Sequence, residues 1–210
     1  MKVGIGVPSV SGVDPDVFIS LLNNIVTLSL NHQVIVITDK NIPLDYSRTL
    51  IVNKAIENNA DVLVFIDSDI VLCDKDFNKI NNALSMLVEK VREHPVVTGL
   101  YWLKRGVLNI YDFQIVDNFP ILSFYTDRIP DFVDGAGLGI VAVDTKVFKE
   151  VEKPWFRFVL DDKDRLIGED VYFFTKLKKK GIRVRVEKNV WGLHRAGGWF
   201  TKNNVLIIDR

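Results

Sequence analysis

The sequence predicts one wound α/β domain over residues 1–210, with a mixed, mostly parallel sheet flanked by helices. Three observations carry this. Apolar stretches of strand length alternate with helical periodicity in the order β-α-β-α-β-α-β over residues 1–102. The run Val62-Leu63-Val64-Phe65-Ile66 has no polar alternation, as a strand buried on both faces of a parallel sheet requires. No stretch has the composition of a linker between domains, and 210 residues suffice for one sizeable core.

The first strand is expected at 3–7, running into the small-residue loop Pro8-Ser9-Val10-Ser11-Gly12. Asp14 and Pro15 read as N-cap and first turn of a helix whose core face is Phe18, Leu21, Leu22, Ile25 and Leu28. A second strand at 33–38 is followed by Asp39. Ser47 is expected to cap a helix over 48–59, with Arg48 in its first turn. A cation there opposes the helix dipole, which hints that Arg48 answers to something negative. After the strand at 62–66, Phe77, Ile80, Leu84, Leu87, Val88 and Val91 predict one long amphipathic helix, and 96–102 another strand.

From 103 onwards the texture changes. Shorter strands are expected near 107–115 and 121–126, with a cationic turn at Lys104-Arg105-Gly106. Asp134-Gly135-Ala136-Gly137-Leu138-Gly139 opens the strand 140–143, and its glycines imply close approach to the backbone. Trp155 and Phe156 fall in a loop, where they could stack on a sugar face or lie over the core. Residues 161–165 read as a mobile polar tract. Gly168-Glu169-Asp170 opens a helix with Val171, Phe174 and Leu177 inward, lysines solvated and Gly181 as C-terminal cap. A half-buried strand follows at 182–186, then 189–194 with His194. Residues 196–204 are expected to be a loop or flexible tail, and 205–208 an edge strand.

The totals exclude some functions. Twenty-seven basic residues balance 27 acidic ones, which argues against a nucleic-acid-coating protein. One cysteine, Cys73, allows no internal disulfide. With an opening too short in apolar residues for a secretory signal, it points to the cytoplasm. No apolar run reaches membrane-spanning length.

The chemistry concentrates at Asp67-Ser68-Asp69, directly after the most apolar strand. Such a strand ends at the carboxyl edge of the sheet, where α/β proteins bind ligands. If strand geometry persists past Ile66, both carboxylates face one side and can share a hard divalent cation such as Mg²⁺ or Mn²⁺. Asp after a strand is also a common turn former.

Asp67-x-Asp69, Gly168-Glu169-Asp170 and the late His194, in that order, resemble a nucleotide-sugar-dependent glycosyltransferase of the GT-A fold, similar to the small members related to family 2. The resemblance implies a donor-binding half at 1–102 and an acceptor-side half at 103–210. It implies a divalent cation on Asp69, Asp67 and His194, with the imidazole favouring Mn²⁺ over Mg²⁺. Asp170 would be the general base of an inverting reaction, and Glu169 would orient the acceptor. Pro8, Ser9, Asp39, Arg48, Asp67 and Gly135 would line the donor nucleotide and its sugar. The usual Asp-Asp-x-Ser at the base site is replaced by Asp39-Lys40-Asn41.

The partners implied are a nucleotide-sugar donor and a glycan, protein or lipid acceptor, without nucleic acid. A peripheral membrane contact through the basic, aromatic second half is compatible with a lipid acceptor. Sugar, base, acceptor, stereochemistry and oligomeric state are not encoded legibly. The rival readings are a haloacid dehalogenase-type phosphohydrolase using Asp67 and Asp69, a sugar-nucleotide-forming nucleotidyltransferase, and a non-catalytic nucleotide-binding domain.

Overall fold

The computed structural model describes residues 1–9, 12–40, 43–103, 105–195 and 199–200. The chain runs β1 (Lys2–Ser9), α1 (Pro15–Ser29), β2 (Gln33–Lys40), α2 (Leu44–Glu57), β3 (Val62–Ile66), β4 (Ile70–Cys73), α3 (Ala83–Val91) and β5 (Val96–Tyr101). It continues through β6 (Ile110–Val116), β7 (Phe119–Phe124), β8 (Phe132–Val133), β9 (Gly135–Ala136), β10 (Ile140–Asp144) and α4 (Val147–Glu150). The last elements are β11 (Val159–Leu160), β12 (Leu166–Ile167), α5 (Glu169–Lys179), β13 (Val184–Arg195) and β14 (Trp199–Phe200).

The main sheet has the order β14-β13-β5-β10-β3-β1-β2, with β4 and β8 also pairing with β13. β1 is parallel to both β2 and β3. β10, from the second half of the chain, lies between β3 and β5 and is antiparallel to both. Strands of the two halves therefore interleave in one mixed sheet. β3 is central and wholly buried, as its composition requires, although one of its neighbours is antiparallel.

One face of the sheet packs Val3, Ile5, Val64 and Ile66 with Leu21 and Leu28 of α1 and Leu84, Leu87 and Val88 of α3. On the opposite face of β1 stand Gly4 and Gly6. A Cβ at Gly6 would lie 2.5 Å from Ile51 Cγ2, so the bare backbone lets α2 pack close. That face continues into an aromatic core of Phe65, Phe148, Trp155, Phe156 and Phe173. Phe148 and Phe173 stack at 5.7 Å, and the Phe65 and Phe156 rings meet edge-on at 5.8 Å. Trp155 and Phe156 are thus core, not an open sugar platform.

Several element boundaries differ from the sequence expectation. α2 starts at Leu44, behind Pro43, and Ser47 N–H already donates to the Pro43 carbonyl at 2.9 Å. Ser47 is thus a buried helical residue, and Arg48 lies past the first turn. The long helix expected from Phe77 shrinks to α3. Asp74 Oδ1 instead accepts from the N–H groups of Asp76 and Asn78 at 2.8 and 2.9 Å, and Phe77 adopts φ 64°. Side-chain capture of the backbone competes with helix there. Phe18 and Leu22 are exposed instead of joining the core.

Residues 161–165 form the tip of the β11–β12 hairpin, closed by Asp161 accepting from the N–H groups of Lys163 and Arg165 at 2.9 and 2.8 Å. The segments expected at 182–186 and 189–194 are one strand, β13, with an irregularity between Val186 and Trp191. Lys178 is not simply solvated: it donates to Asp134 and to the Phe113 carbonyl. Leu103 N–H donates to the Val107 carbonyl at 2.8 Å and Gly106 N–H to the Leu103 carbonyl at 2.9 Å, a turn at Arg105-Gly106; Lys104 lies outside the described residues. So does the edge strand expected at 205–208. No described helix is long and apolar enough to cross a membrane.

Candidate active site

β3 delivers Asp67 and Asp69 to the carboxyl edge of the sheet. Strand geometry does not persist beyond Ile66. Ile70 N–H donates to the Asp67 carbonyl at 3.2 Å, closing a tight turn that reverses the chain into β4. The turn nonetheless sets both carboxylates on one cleft of about 520 Å³, lined also by Pro8, Gly12, Val13, Asp14, Leu44 and Ser68. Backbone bonds from both sides hold it: Asp67 N–H donates to Gly139 O at 3.0 Å, and Arg195 N–H to Asp69 O at 2.8 Å.

The two carboxylates have different partners. Asp69 Oδ2 lies 3.1 Å from His194 Nε2. Burial opposes charge on the imidazole, but the Asp69 hydrogen bond and the Asp69 and Asp67 charges outweigh it and hold the His194 pKa above its ordinary value. The ring meets Tyr101 edge-on at 5.6 Å. Asp67 Oδ1 instead accepts from Arg48 Nη2 at 3.0 Å. Arg48 is fully enclosed. Its Nε donates to Glu169 Oε1 at 3.2 Å, its Nη1 to Leu138 O at 3.5 Å, and it lies 5.5 Å from the Phe65 ring centroid. The arginine therefore bolts the Asp67 turn to the start of α5. Burial disfavours its charge, yet Asp67, Glu169 and Asp170 hold its pKa above the usual arginine range.

Asp170 follows Glu169 in the first turn of α5, where its Oδ1 accepts from Val171 N–H at 2.7 Å. The helix N-terminus alone would keep this carboxyl acidic. Burial and the Glu169 charge overcome that bond and the Arg48 charge, and lift the Asp170 pKa to about 6.

The glycine-dense segment is explained by protein instead of ligand. A Cβ on Gly135 would lie 2.5 Å from the Tyr111 ring, and one on Gly137 would lie 2.3 Å from the Tyr101 hydroxyl. Gly139 N–H donates to that hydroxyl at 3.3 Å. Burial and the Asp67 and Asp170 charges raise the Tyr101 pKa well above normal, so the phenol stays protonated. Ser9 Oγ bonds within its own loop, donating to Gly12 O at 3.0 Å and accepting Gly12 N–H at 3.1 Å. Asp39, in register with Pro8, lies 3.6 Å from Lys54 Nζ. Neither Ser9 nor Asp39 is among the residues lining the cleft. Among the described residues no three His, Cys, Asp or Glu side chains form a ready-made metal site.

This arrangement rests on a known architecture. A197 from STIV superposes over 100% of this chain and 95% of its own, with TM-score 0.69 and 20% identity. The two share a fold. HddC from Yersinia pseudotuberculosis is more distant, with TM-score 0.43 and 12% identity over 91% of this chain and 92% of its own. No protein-family profile and no curated protein sequence matches the chain. The α/β fold with a mixed, GT-A-like sheet is therefore established by structure, at an identity that carries the architecture alone.

Sequence reasoning missed Tyr101, Tyr111 and the Leu138 carbonyl, which all border the carboxylate cluster. It also missed the ion pair between Arg195 and Asp14, which ties the end of β13 to the cap of α1. Only Asp14 carried a legible signal, and that signal was for the cap.

Proposed function

We propose that the chain transfers a sugar from a nucleoside-diphosphate sugar to an acceptor hydroxyl, with inversion at the anomeric carbon. The observation that carries this reading is the division of labour among four carboxylates, two of which, Asp67 and Glu169, are bridged by Arg48. Asp69, with His194, stays available at the cleft. Asp67 and Glu169 share the one cation of Arg48. Asp170 has a pKa lifted to about 6, close to what a general base at neutral pH requires.

The donor diphosphate would occupy the cleft beside Pro8, Ser68 and Asp69. Asp69 and His194, a hard oxygen and an imidazole, are the donor pair that would hold a cation such as Mn²⁺. Asp67, engaged by Arg48, would then act as a neighbour of that ion and not as its first ligand. When bound, the cation would supply charge stabilisation to the leaving diphosphate. Asp170 would take the proton from the acceptor hydroxyl. The oxygen then forms its bond to the anomeric carbon as the bond to the diphosphate oxygen breaks, its electron pair leaving with the diphosphate. A dehalogenase-type phosphohydrolase is disfavoured, because Asp67, its strand-end nucleophile, is held by Arg48.

Thermal unfolding with UDP or GDP, each with and without Mn²⁺, tests the donor site. One nucleotide with Mn²⁺ should raise the Tm of the wild type and leave Asp69→Ala unmoved, because a ligand of the native state must stabilise it. If neither nucleotide moves the wild type with metal present, the donor-site reading fails.

A further inference from the structure

Among the described residues, one apolar face has no cover. On α1, Val17, Leu21 and Leu28 point into the core, and Ser20 and Asn24 mark the flank toward β4 and α3. The Ser20 hydroxyl accepts from Leu72 N–H at 3.0 Å, and Asn24 Nδ2 donates to Ile80 O at 2.7 Å. The other side of the helix carries Phe18, Leu22 and Val26 at four-residue spacing, with Ile19 and Leu30 beside them, each between 46% and 77% exposed. Among the described strands, β2 is the last in the order of the sheet, hydrogen-bonded to β1. Its Ile35 and Ile37 pack toward α2, whereas Val34 packs toward α1. Val36 shares the α1 side with Val34 and is 52% exposed. A groove of about 530 Å³ follows the same edge, lined by Ile35, Val36, Ile37, Thr38, Lys54 and Asn58.

Proteins normally protect an open edge with lysine, proline or a bulge. β2 carries no proline and no lysine before its last residue, Lys40, and it pairs with β1 in unbroken register. The surroundings narrow the partner further. The described cations that reach this face are each matched by an acid, Lys54 by Asp39 at 3.6 Å and Lys79 by Asp16 at 3.0 Å, so it carries no excess positive charge. An anionic lipid surface or a nucleic acid would call for cations. A second copy of this chain meets the neutral, apolar surface on its own terms. Two β2 strands paired antiparallel about Val36 place Ile35 opposite Ile37, Val34 opposite Thr38, and Asp39 opposite Gln33. No like charges meet. The same two-fold axis sets the two α1 stripes on one face of the merged sheet.

From this we infer that the chain self-associates as a two-fold dimer through its β2 edge and the exposed stripe of α1. Sedimentation velocity across a concentration series should show twice the chain mass in the wild type. The Leu22→Glu/Val36→Lys double variant, checked for fold by circular dichroism, should sediment as a monomer. Val36→Cys should form a disulfide-linked dimer on mild oxidation, since directly opposed residues stand within disulfide reach. Thr38→Cys should not, and neither should the wild type, whose Cys73 is buried. A wild type that stays monomeric at every concentration overturns the inference, whether or not α1 then proves to bind vesicles. A dimer that survives the double variant, or one in which Val36→Cys does not cross-link, overturns it as well. If the double variant fails to fold, the cysteine pair decides.

Discussion

The enclosed Arg48 donates from Nη2 to Asp67 Oδ1 at the cleft wall, at 3.0 Å, and from Nε to Glu169 Oε1 at 3.2 Å. A charge buried this completely is tolerated because it is paired twice, and removing it strands two carboxylates. Arg48→Met should therefore cost about 3–5 kcal/mol in urea unfolding, the range for breaking a buried pair from one side. The deficit should shrink as pH falls and the stranded carboxylates take up protons. Arg48→Met melting like the wild type at neutral pH would show that the pairing does not support the fold.

The raised pKa of Asp170 makes stability depend on pH in a defined direction. The unfolded carboxyl titrates at about 3.9, and the folded one at about 6. Between these values the native state holds more proton than the unfolded state. The contribution is fully present below the unfolded pKa and is lost as pH rises through about 6. Asp170→Asn should abolish that segment of the stability profile and raise stability at pH 7 by on the order of 2–3 kcal/mol. Chemical denaturation from pH 4 to pH 8 on both proteins measures this directly.

Activity should respond in the opposite sense. If Asp170 is the base, the rate of sugar transfer should rise with pH through about 6, because only the carboxylate can accept the proton. Asp170→Asn should lower kcat by about 10²–10⁴, the range attributed to a positioned base, while leaving the nucleotide-dependent Tm shift in place. Loss of that shift along with activity would make Asp170 a binding residue.

The strand elements were the most legible part of the sequence, because a buried strand writes itself as an unbroken apolar run. β3 and β10 are examples. The carboxylates after β3 were legible for the same reason, since a central strand must end at the binding edge. What was not legible depended on contacts distant in sequence. Arg48 looked like a misplaced first-turn cation. Its real partners are 19 and 121 residues away, across the fold. The glycines of 135–139 announced a close approach but not what approaches, which is Tyr111 at Gly135, Tyr101 at Gly137 and Ile70 with Tyr101 at Gly139. Helical periodicity over-extended α3 because it cannot see the Asp74 side chain taking the backbone for a turn. It also assigned Phe18 and Leu22 to a core they do not reach.

The two tyrosines behind the glycine segment allow a test by rescue. At Gly137 the atom that a new Cβ would strike is the Tyr101 hydroxyl oxygen, at 2.3 Å, with the ring carbon that bears it at 3.3 Å. At Gly135 the obstacle is the Tyr111 ring itself, at 2.5 Å. Both Gly137→Ala and Gly135→Ala should destabilise by about 1–3 kcal/mol, as overpacking of a tight core does. Deleting the Tyr101 hydroxyl removes the atom in the way. Gly137→Ala/Tyr101→Phe should therefore recover much of the loss, after allowance for the Gly139 N–H bond that Tyr101→Phe forfeits at 3.3 Å. Gly135→Ala/Tyr111→Phe should recover little, because the ring remains. A double-mutant cycle in urea separates these outcomes. Equal rescue at both positions would mean that the segment moves away from its tyrosines, and that the backbone here is not fixed by the contacts described.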